Sequence, residues 1–368
     1  MQPTPPARLI ALYLPQFHPI PENDEWWGKG FTEWTNVAKA RPLFPGHYQP
    51  HVPADLGFYD LRLPEVRIAQ AELARRYGIE GFCYWHYWFA GRRLLDRPFN
   101  EVLTSRQPDF PFCLAWANES WRGVWHGTPN TMLVEQTYPG KADYTAHFEA
   151  LRPAFEDPRH LKVDGKPIFL VYQPHHLPDP FEFTDTWREL AHQAGLPGLY
   201  LIACLHGEPV WDPRKKGFDA ATIANQVKVM EIPPRSGVDA VRRKALASYR
   251  RARKRPVRVY DYAEALPHFV QAAPPGIELY PTVVPNWDNS PRSGLRGFVL
   301  HDSTPELFAR HLRQGIDAVG HLPVDHRLVF VKSWNEWAEG NHLEPDLRHG
   351  HAYLQVVRDT LAAAGVDR

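Results

Sequence analysis

Short apolar segments recur from one end of this 368-residue chain to the other, most of them followed by a polar, aromatic-rich loop. Eight of these segments predict strands: Leu9 to Leu14, Gly81 to Tyr87, Phe112 to Ala117, Ile168 to Tyr172, Tyr200 to Leu205, Ala220 to Asn225, Glu278 to Val284 and Leu328 to Ser333. Helical periodicity lies between many of them, at Pro64 to Tyr77, Ala142 to Phe155, Asp185 to Ala194, Pro305 to Ala318 and Ala352 to Ala363. Strands that alternate with helices imply a parallel sheet, and eight such units imply a (β/α)8 TIM barrel. A doubly wound sheet is the structural alternative.

Two links in this pattern are weaker than the others. The link from Leu205 to Ala220 has no convincing helix, and the link from Val227 to Gly276 is long. The first loop, Pro15 to Leu63, carries Trp26, Trp27 and Trp34 among glycines and prolines, so we expect it to fold over one end of the barrel as a cap. No break in composition divides residues 1–368, which predicts a single domain.

The charge balance narrows the classes of partner. The 42 basic and 42 acidic side chains cancel, which removes the broad electrostatic argument for nucleic acid or an anionic membrane as the main partner. Cys83, Cys113 and Cys204 each lie in an apolar segment and predict small buried side chains in a reduced compartment. We find neither a signal peptide pattern nor a membrane span, so a cytoplasmic protein is expected.

One stretch, Arg242 to Arg258, is strongly basic. It is interpreted as the solvated face of a helix, with docking of an acidic polymer as the alternative.

Polar groups interleaved with indoles follow six of the predicted strands. The chain has 13 Trp, and tryptophan faces in a cleft are typical platforms for sugar rings, with Asn, Gln, His and Asp to bind hydroxyl groups. The predicted substrate-binding residues are Tyr13, Gln16, His18, Tyr84, His86, Trp88, Trp116, Asn118, Glu119, Tyr172, Gln173, Trp287, Asp288, Arg292, Asn335 and Trp337.

Glu336 and Glu339 are the sharpest candidates for catalysis. They lie three residues apart in a tight turn that ends at Gly340, and two carboxyl groups in an aromatic pocket tend to differ in pKa. One can then act as base and the other as acid, as glycosidic bond cleavage requires. Glu119 is the rival acid, next to Asn118, with Glu336 as nucleophile.

Other chemistries have less support. His18 and His86 could ligate a metal ion, yet no paired histidine spacing or carboxylate cluster accompanies them. No G-x-S-x-G elbow and no glycine-rich phosphate loop follows a strand. We therefore expect neither a metal nor a cofactor.

Five segments together carry a family resemblance: Tyr13 to Pro19, Glu25 to Trp34, Gly81 to Trp88, Trp116 to Glu119 and Ser333 to Gly340. Over nearly the whole chain, from about Arg8 to Leu361, the sequence resembles the WbsX group. That group is often labelled glycosyltransferase, is also called glycoside hydrolase family 99-like, and is typically encoded among polysaccharide genes of bacteria.

The resemblance implies a mechanism. Glycoside hydrolase family 99 comprises (β/α)8 barrels that are endo-acting α-mannosidases and α-mannanases, need no metal, and carry an N-E-W-x-E-G segment like Asn335 to Gly340. By resemblance, Glu336 deprotonates the 2-hydroxyl of the substrate and Glu339 protonates the leaving oxygen. A 1,2-anhydro sugar forms and water opens it with net retention. This chemistry suits α-mannose or α-rhamnose. The first strand departs from the hydrolase pattern, since it ends in Pro-Gln-Phe-His.

Three classes of function remain: a retaining endo-glycosidase acting on a bacterial polysaccharide, a glycosyltransferase of lipopolysaccharide or capsule biosynthesis, and a non-catalytic sugar-binding barrel. A sugar-nucleotide transferase needs a diphosphate site, and no D-x-D motif occurs here. Hydrolysis is therefore favoured, with an oligo- or polysaccharide as the partner.

Overall fold

Eight parallel strands close into a barrel in the computed structural model, which describes residues 5–123, 128–234, 236–256 and 258–366. The strands are β1 (Arg8–Tyr13), β2 (Gly81–Phe89), β3 (Phe112–Trp116), β4 (Lys166–Val171), β5 (Tyr200–Leu205), β6 (Ala220–Ile223), β7 (Leu279–Val283) and β8 (Leu328–Val331). Each pairs with the next along the chain, and β8 pairs with β1. The closure confirms the predicted barrel, since a doubly wound sheet has two free edges.

The barrel strands are buried along almost their whole length because helices cover the outside and side chains fill the inside. Cys83 and Cys113 are register partners on β2 and β3, and Cys204 lies on β5. All three are free and buried, as expected for small apolar side chains.

The helices are α1 (Pro21–Trp27), α2 (Glu33–Ala38), α3 (Pro64–Arg76), α4 (Arg97–Ser105), α5 (Lys141–Phe155), α6 (Pro180–Gln193), α7 (Gly237–Ala252), α8 (Tyr262–Ala265), α9 (Ser290–Ser293), α10 (Pro305–Val319) and α11 (Ala352–Val366). Five of them confirm the predicted helices; α4, between β2 and β3, was not predicted. Proline at the first turn begins α3, α6 and α10, where its missing N–H costs nothing. No helix among the described residues combines the length and apolarity that crossing a bilayer takes.

The two weaker links have different structures. A single 3-10 turn, Pro213–Lys216, occupies the link between β5 and β6. The long link after β6 holds α7 and the strand Arg258–Asp261, which joins Phe298–His301 and Trp287–Asp288 in a three-stranded side sheet. Helix α7 has no buried residue, so the basic stretch includes a solvated helix, as interpreted from the sequence. Position 257 lies outside the described residues.

The remaining short strands form hairpins at the barrel rim. Arg92–Leu94 pairs with β2, Lys162–Val163 pairs with β4, Trp121–Gly123 pairs with Thr128–Val134, and Asn335–Glu336 pairs with Asn341–His342.

The first loop folds as the predicted cap over the carboxyl ends of the strands. The Trp34 ring packs 5.7 Å from the Trp337 ring, and its indole N–H donates to the Tyr59 carbonyl at 2.7 Å. Backbone hydrogen bonds from Ala54 to Pro345 and from Leu347 to Val52 join the cap to the loop after β8. The cap therefore covers the loop that carries both predicted catalytic glutamates.

Candidate active site

A cleft of about 310 Å³ opens at the carboxyl ends of the barrel strands, where (β/α)8 enzymes place their active sites. It is lined by side chains from the cap, from the ends of β1, β2, β3, β4 and β8, from the hairpin after β3 and from α9: Leu12, Leu14, Gln16, Asn23, Trp27, Phe31, Trp85, Tyr87, Ala117, Glu119, Ser120, Trp121, Arg122, Leu133, Tyr172, Arg292, Lys332, Ser333, Glu336 and Glu339. Six of the predicted site residues are among them: Gln16, Glu119, Tyr172, Arg292, Glu336 and Glu339.

Arg292 joins three carboxylates at the floor of this cleft. Its guanidinium nitrogens lie 3.1 Å from Glu33 Oε2, 2.5 Å from Glu336 Oε1 and 2.8 Å from Glu339 Oε1. The Glu33 side chain is fully buried, whereas those of Glu336 and Glu339 are 10% and 17% exposed. The two cleft glutamates thus keep a solvent-facing side while Arg292 holds their positions.

A compact turn brings both glutamates to the same arginine. Glu336 ends the strand Asn335–Glu336, and the 3-10 turn Trp337–Glu339 follows it directly. Gly340 closes the turn at φ 59°, and a Cβ at this position would lie 3.0 Å from the Cβ of Asp288. Glycine therefore meets both the left-handed backbone and the close approach of Asp288.

The electrostatics of the cluster favour a proton on Glu336. Burial, together with the charges of Glu339 and Glu33, raises its pKa to about 7, although Arg292 opposes the shift. Burial lowers the pKa of Arg292, yet the three carboxylates raise it overall to well above its ordinary value. The cluster therefore combines a fixed cation with a carboxyl group that exchanges its proton near neutral pH.

Glu119 faces the same cleft from the loop after β3. Burial raises its pKa, and the charge of Glu339 adds to that shift, whereas a side-chain hydrogen bond with Gln173 lowers it. A third titratable carboxyl group is thus available to a ligand in this cleft.

Aromatic rings form the walls. Trp85 packs against Tyr172 with ring centroids 5.3 Å apart, and Trp121 packs edge-on against Tyr87 at 5.0 Å. Gln16 Nε2 donates to the Tyr87 hydroxyl at 3.2 Å. Rings beside hydrogen-bonding groups are the surface that a sugar ring requires.

The predicted residues of β2 point the other way. Successive side chains of a strand alternate between its two faces, so Trp85 and Tyr87 face the cleft and Tyr84, His86 and Trp88 face the helices. Tyr84 packs on Phe99 of α4, His86 Nε2 lies 2.9 Å from Nε2 of His147, and Trp88 Nε1 donates to Asp143 of α5. A shift of one residue in register explains the difference.

Asn118 and Asn335 support the cleft from beneath. The Asn118 side chain accepts from the Gln173 N–H at 2.7 Å and donates to the Gln173 carbonyl at 2.9 Å. The Asn335 side chain does the same with Leu14, at 2.7 and 3.0 Å. Both amides are fully buried and occupied by backbone groups, so the structure does not bring them to a ligand.

The other predicted residues also lie outside the cleft lining. Tyr13 donates to Gln70 of α3, Trp116 donates to the Trp88 carbonyl, Trp337 donates to Glu344, and Asp288 accepts from Gln49 and contacts His47. Trp287 packs under the Lys332 ammonium, 5.0 Å from its ring centroid. His18 is buried with Asp60 and Arg62 nearby, whereas His86 contacts His147, and neither histidine belongs to a group of three potential metal ligands among the described residues.

Several cleft residues were missed by sequence reasoning. They include Asn23, Tyr87, Arg122 and Lys332. Of these, only Tyr87 had a usable signal in the sequence, which is the alternation of side chains along β2. Glu33, which contacts Arg292 behind the cleft lining, was missed too, although the segment Glu25 to Trp34 belongs to the family resemblance.

The sequence is similar to that of known proteins over nearly the whole chain. A family model described as "Glycosyltransferase WbsX" matches residues 9–357. A protein of Xanthomonas campestris pv. campestris described as "Uncharacterized protein WxcX" is 41% identical over 370 residues, covering 98% of this chain and 50% of the relative. The chain thus spans about half the length of the curated relatives it matches.

Solved structures show the same fold. A "Glycoside hydrolase-like protein" aligns with a TM-score of 0.57 and 14% identity, over 96% of this chain and 94% of the other. The GH99 endo-alpha-mannosidase from Bacteroides thetaiotaomicron aligns with a TM-score of 0.58 and 14% identity, over 98% and 99% of the two chains.

Proposed function

Because the chain belongs to the WbsX family, we propose that it is a retaining, endo-acting glycoside hydrolase that cleaves α-mannose- or α-rhamnose-type bonds in a bacterial polysaccharide. One observation carries the proposal: Glu336 and Glu339 contact separate nitrogens of Arg292 at the floor of an aromatic cleft. Glycosidic cleavage needs two carboxyl groups with different proton affinities on one substrate.

In the proposed mechanism, Glu336 is the base. Its carboxylate takes the proton of the substrate's 2-hydroxyl, the 2-oxygen bonds to the anomeric carbon, and the bond to the leaving oxygen breaks. Glu339 donates its proton to that leaving oxygen. In the free chain the proton of the cluster favours Glu336, whose pKa is about 7, so a large fraction of Glu336 is still ionised at neutral pH and can act as base. The proposed roles therefore require the bound substrate to leave that proton on Glu339, beside the leaving oxygen.

The second step reverses these proton transfers. Water attacks the anomeric carbon of the 1,2-anhydro sugar and the bond between that carbon and the 2-oxygen breaks. Glu339 accepts the proton from water, and Glu336 returns a proton to the 2-oxygen. Two inversions at the anomeric carbon give net retention. Arg292 holds both side chains in place and reduces the repulsion between them.

A two-carboxylate mechanism with Glu119 as acid and Glu336 as nucleophile is the closest alternative. The raised pKa of Glu119 and its place in the cleft lining favour it. A second candidate function, glycosyl transfer, is favoured by the description of the family and by Lys332 and Arg122 in the cleft lining, which could face a diphosphate.

Three variants test the proposal on an α-linked manno- or rhamno-oligosaccharide. We expect Glu336→Gln and Glu339→Gln to lower kcat by roughly 10²–10⁴-fold, because each removes a proton transfer, while the ligand dissociation constant changes little. Product release is followed by chromatography and binding by calorimetry. Glu72→Gln, at an exposed position on α3, is the control and should keep wild-type turnover.

A substrate without the 2-hydroxyl separates the mechanisms. The proposed route needs the 2-oxygen as nucleophile, so the 2-deoxy analogue should not be cleaved. The two-carboxylate route would be established instead if the wild type cleaves that analogue and Glu119→Gln does not. Nucleotide release from sugar nucleotides that depends on Glu336 would establish transfer, and binding without any turnover would establish a sugar-binding barrel.

A further inference from the structure

Three buried side chains meet beside the catalytic hairpin, outside the cleft described above. His51 comes from the cap, whereas His342 and Asp346 come from the loop after β8. One nitrogen of each ring and one carboxylate oxygen all lie within 4.8 Å of one another. The residues are only 3%, 8% and 4% exposed, respectively. Among the described residues this is the only group of three or more potential metal ligands found.

The two imidazoles are oriented for a shared ligand. Nδ1 of His342 lies 2.9 Å from the Glu344 carbonyl, to which it can donate only as N–H, and this leaves the lone pair of Nε2 facing His51. Nδ1 of His51 lies 2.9 Å from that Nε2 and donates its proton to it, and a metal ion bound by both rings would replace that proton. A backbone carbonyl that fixes the tautomer of a ring is the usual outer partner of a metal-bound histidine.

Asp346 supplies the carboxylate. Its Oδ1 accepts from the backbone N–H groups of Arg348 and His349, at 2.9 and 2.6 Å, and its Oδ2 lies 3.9 Å from Nε2 of His342. The Tyr48 hydroxyl also hydrogen-bonds this carboxylate. The backbone contacts fix the orientation of the side chain and leave Oδ2 directed at the histidine pair.

We propose that His51, His342 and Asp346 bind a zinc ion that fastens the cap to the hairpin carrying Glu336. Zinc takes histidine nitrogens and carboxylate oxygens at about 2.0–2.2 Å in a tetrahedron, so its ligand atoms lie about 3.4 Å apart. The observed separations of 2.9 and 3.9 Å bracket that value. A cavity of about 100 Å³ lined by the same three residues has room for water as the fourth ligand.

The place of the site suggests a structural role. His342 is the register partner of Asn335, in the hairpin whose other pair joins Glu336 to Asn341. The backbone bonds between Ala54 and Pro345 and between Leu347 and Val52 bring the same two segments together. Zinc would add a link between residues 291 positions apart in sequence. The inference stands on this geometry and does not depend on the hydrolase proposal.

Zinc binding to the full chain tests the inference. The purified protein is stripped with EDTA, titrated with zinc chloride in calorimetry, and analysed for metal after gel filtration against a competing chelator. We expect one tightly held zinc ion per chain and a higher Tm with zinc. Asp346→Asn and His342→Gln should each weaken zinc binding at least tenfold, because each removes a ligand.

The control is His301→Ala, which changes another histidine that lines the same cavity but lies outside the three-ligand group. It should bind zinc like the wild type. Asp346→Asn keeps Oδ1 for the two backbone donors, so circular dichroism and the metal-free Tm can show that it folds. The inference is overturned if the wild type takes up no stoichiometric zinc, if Asp346→Asn binds as tightly as the wild type, or if His301→Ala loses zinc to the same extent.

Discussion

Arg292 organises the site at the scale of single residues. Its one positive charge faces Glu33, Glu336 and Glu339, so full ionisation of all three leaves the buried cluster net negative. Protonation of one carboxyl group relieves that excess charge, and burial selects Glu336, whose pKa rises to about 7. A shared cation thus permits two carboxyl groups to stand together while keeping one of them near its protonation midpoint.

This balance makes stability depend on pH. The pKa of Glu336 is about 7 in the folded chain against an ordinary value of 4.5, so folding opposes its ionisation. Below pH 4.5 the carboxyl group is protonated in both states and no cost arises; as pH rises towards 7 the wild type loses stability, by at most about 1.4 kcal/mol per pH unit. Glu336→Gln cannot ionise, so its free energy of unfolding should exceed that of the wild type by a margin that grows from pH 4.5 to 7.

Urea unfolding at half-unit steps of pH measures that margin. Glu72→Gln, at the exposed position on α3, should show a margin that is small and constant. A margin that stays flat or shrinks for Glu336→Gln would show that the folded protein does not disfavour the ionised carboxyl group.

Prediction from sequence worked unevenly at this scale. Glu336, Glu339, Arg292 and Glu119 were predicted as site residues, and the structure brings them to one cleft. The predicted residues of β2 lie one position away from those that line the cleft. Both sides of the segment Gly81 to Trp88 carry aromatic side chains, so the sequence alone does not tell which side points towards the barrel axis.

At the scale of elements, two asparagines connect neighbouring strand ends. Asn118 joins the end of β3 to the end of β4, and Asn335 joins the end of β8 to the end of β1, each through two bonds to one backbone residue. Each asparagine directly precedes a glutamate of the cleft. Each Asn-Glu pair therefore combines backbone support by the asparagine with a carboxyl group that lines the cleft.

Removal of one such amide should destabilise the barrel rim. Asn335→Ala leaves the buried N–H and carbonyl of Leu14 without partners, which costs about 1–3 kcal/mol per group, and it loosens the hairpin of Glu336. We expect a loss of roughly 2–5 kcal/mol in urea unfolding, with reduced turnover. Asn100→Ala on α4 removes a half-buried contact with Asp96 and should cost under about 1 kcal/mol. Equal losses in the two variants would contradict the role of Asn335.

The barrel strands were predictable as elements because buried apolar segments of strand length, separated by helical periodicity, leave few alternatives. Helix α4 was missed, since it is only nine residues long and follows a rim hairpin directly. The side-sheet strands Trp287–Asp288 and Phe298–His301 were missed because their pairing involves residues distant in sequence.

At the scale of the whole molecule, the basic stretch stands apart from the barrel. Helix α7 has no buried residue, and Arg242, Lys244 and Arg251 on it are exposed. Docking of an acidic polymer at Arg242 to Arg258 remains a proposal alongside the solvated helix. The interpretation of the chain as one domain likewise stays a prediction.

Charge removal on α7 separates these interpretations. We expect Arg242→Gln, Lys244→Gln and Arg251→Gln together to change the free energy of unfolding little, by under about 0.5 kcal/mol per substitution, and to leave turnover of a neutral oligosaccharide unchanged, because these side chains are solvated. Urea unfolding and product release measure both. Polygalacturonate at low salt tests the docking alternative. Docking on α7 would be established if the wild type binds this polymer and the α7 variant does not. The control variant, which carries Lys29→Gln, Lys39→Gln and Arg41→Gln together, should then still bind it.

The sequence by itself determined the eight-stranded barrel, the cap and the two glutamates of the turn after β8, because each rests on neighbours in the chain: apolar periodicity, a glycine-rich loop and a three-residue spacing. Only the tertiary structure decided that Arg292 joins Glu33 to those glutamates, that Trp85 and Tyr87 face the cleft, and that His51 meets His342 and Asp346. The ion pairs of Arg292 and the group of His51, His342 and Asp346 join residues far apart in the chain, and closure of the barrel brings them together. The same closure decides which side of β2 lines the cleft.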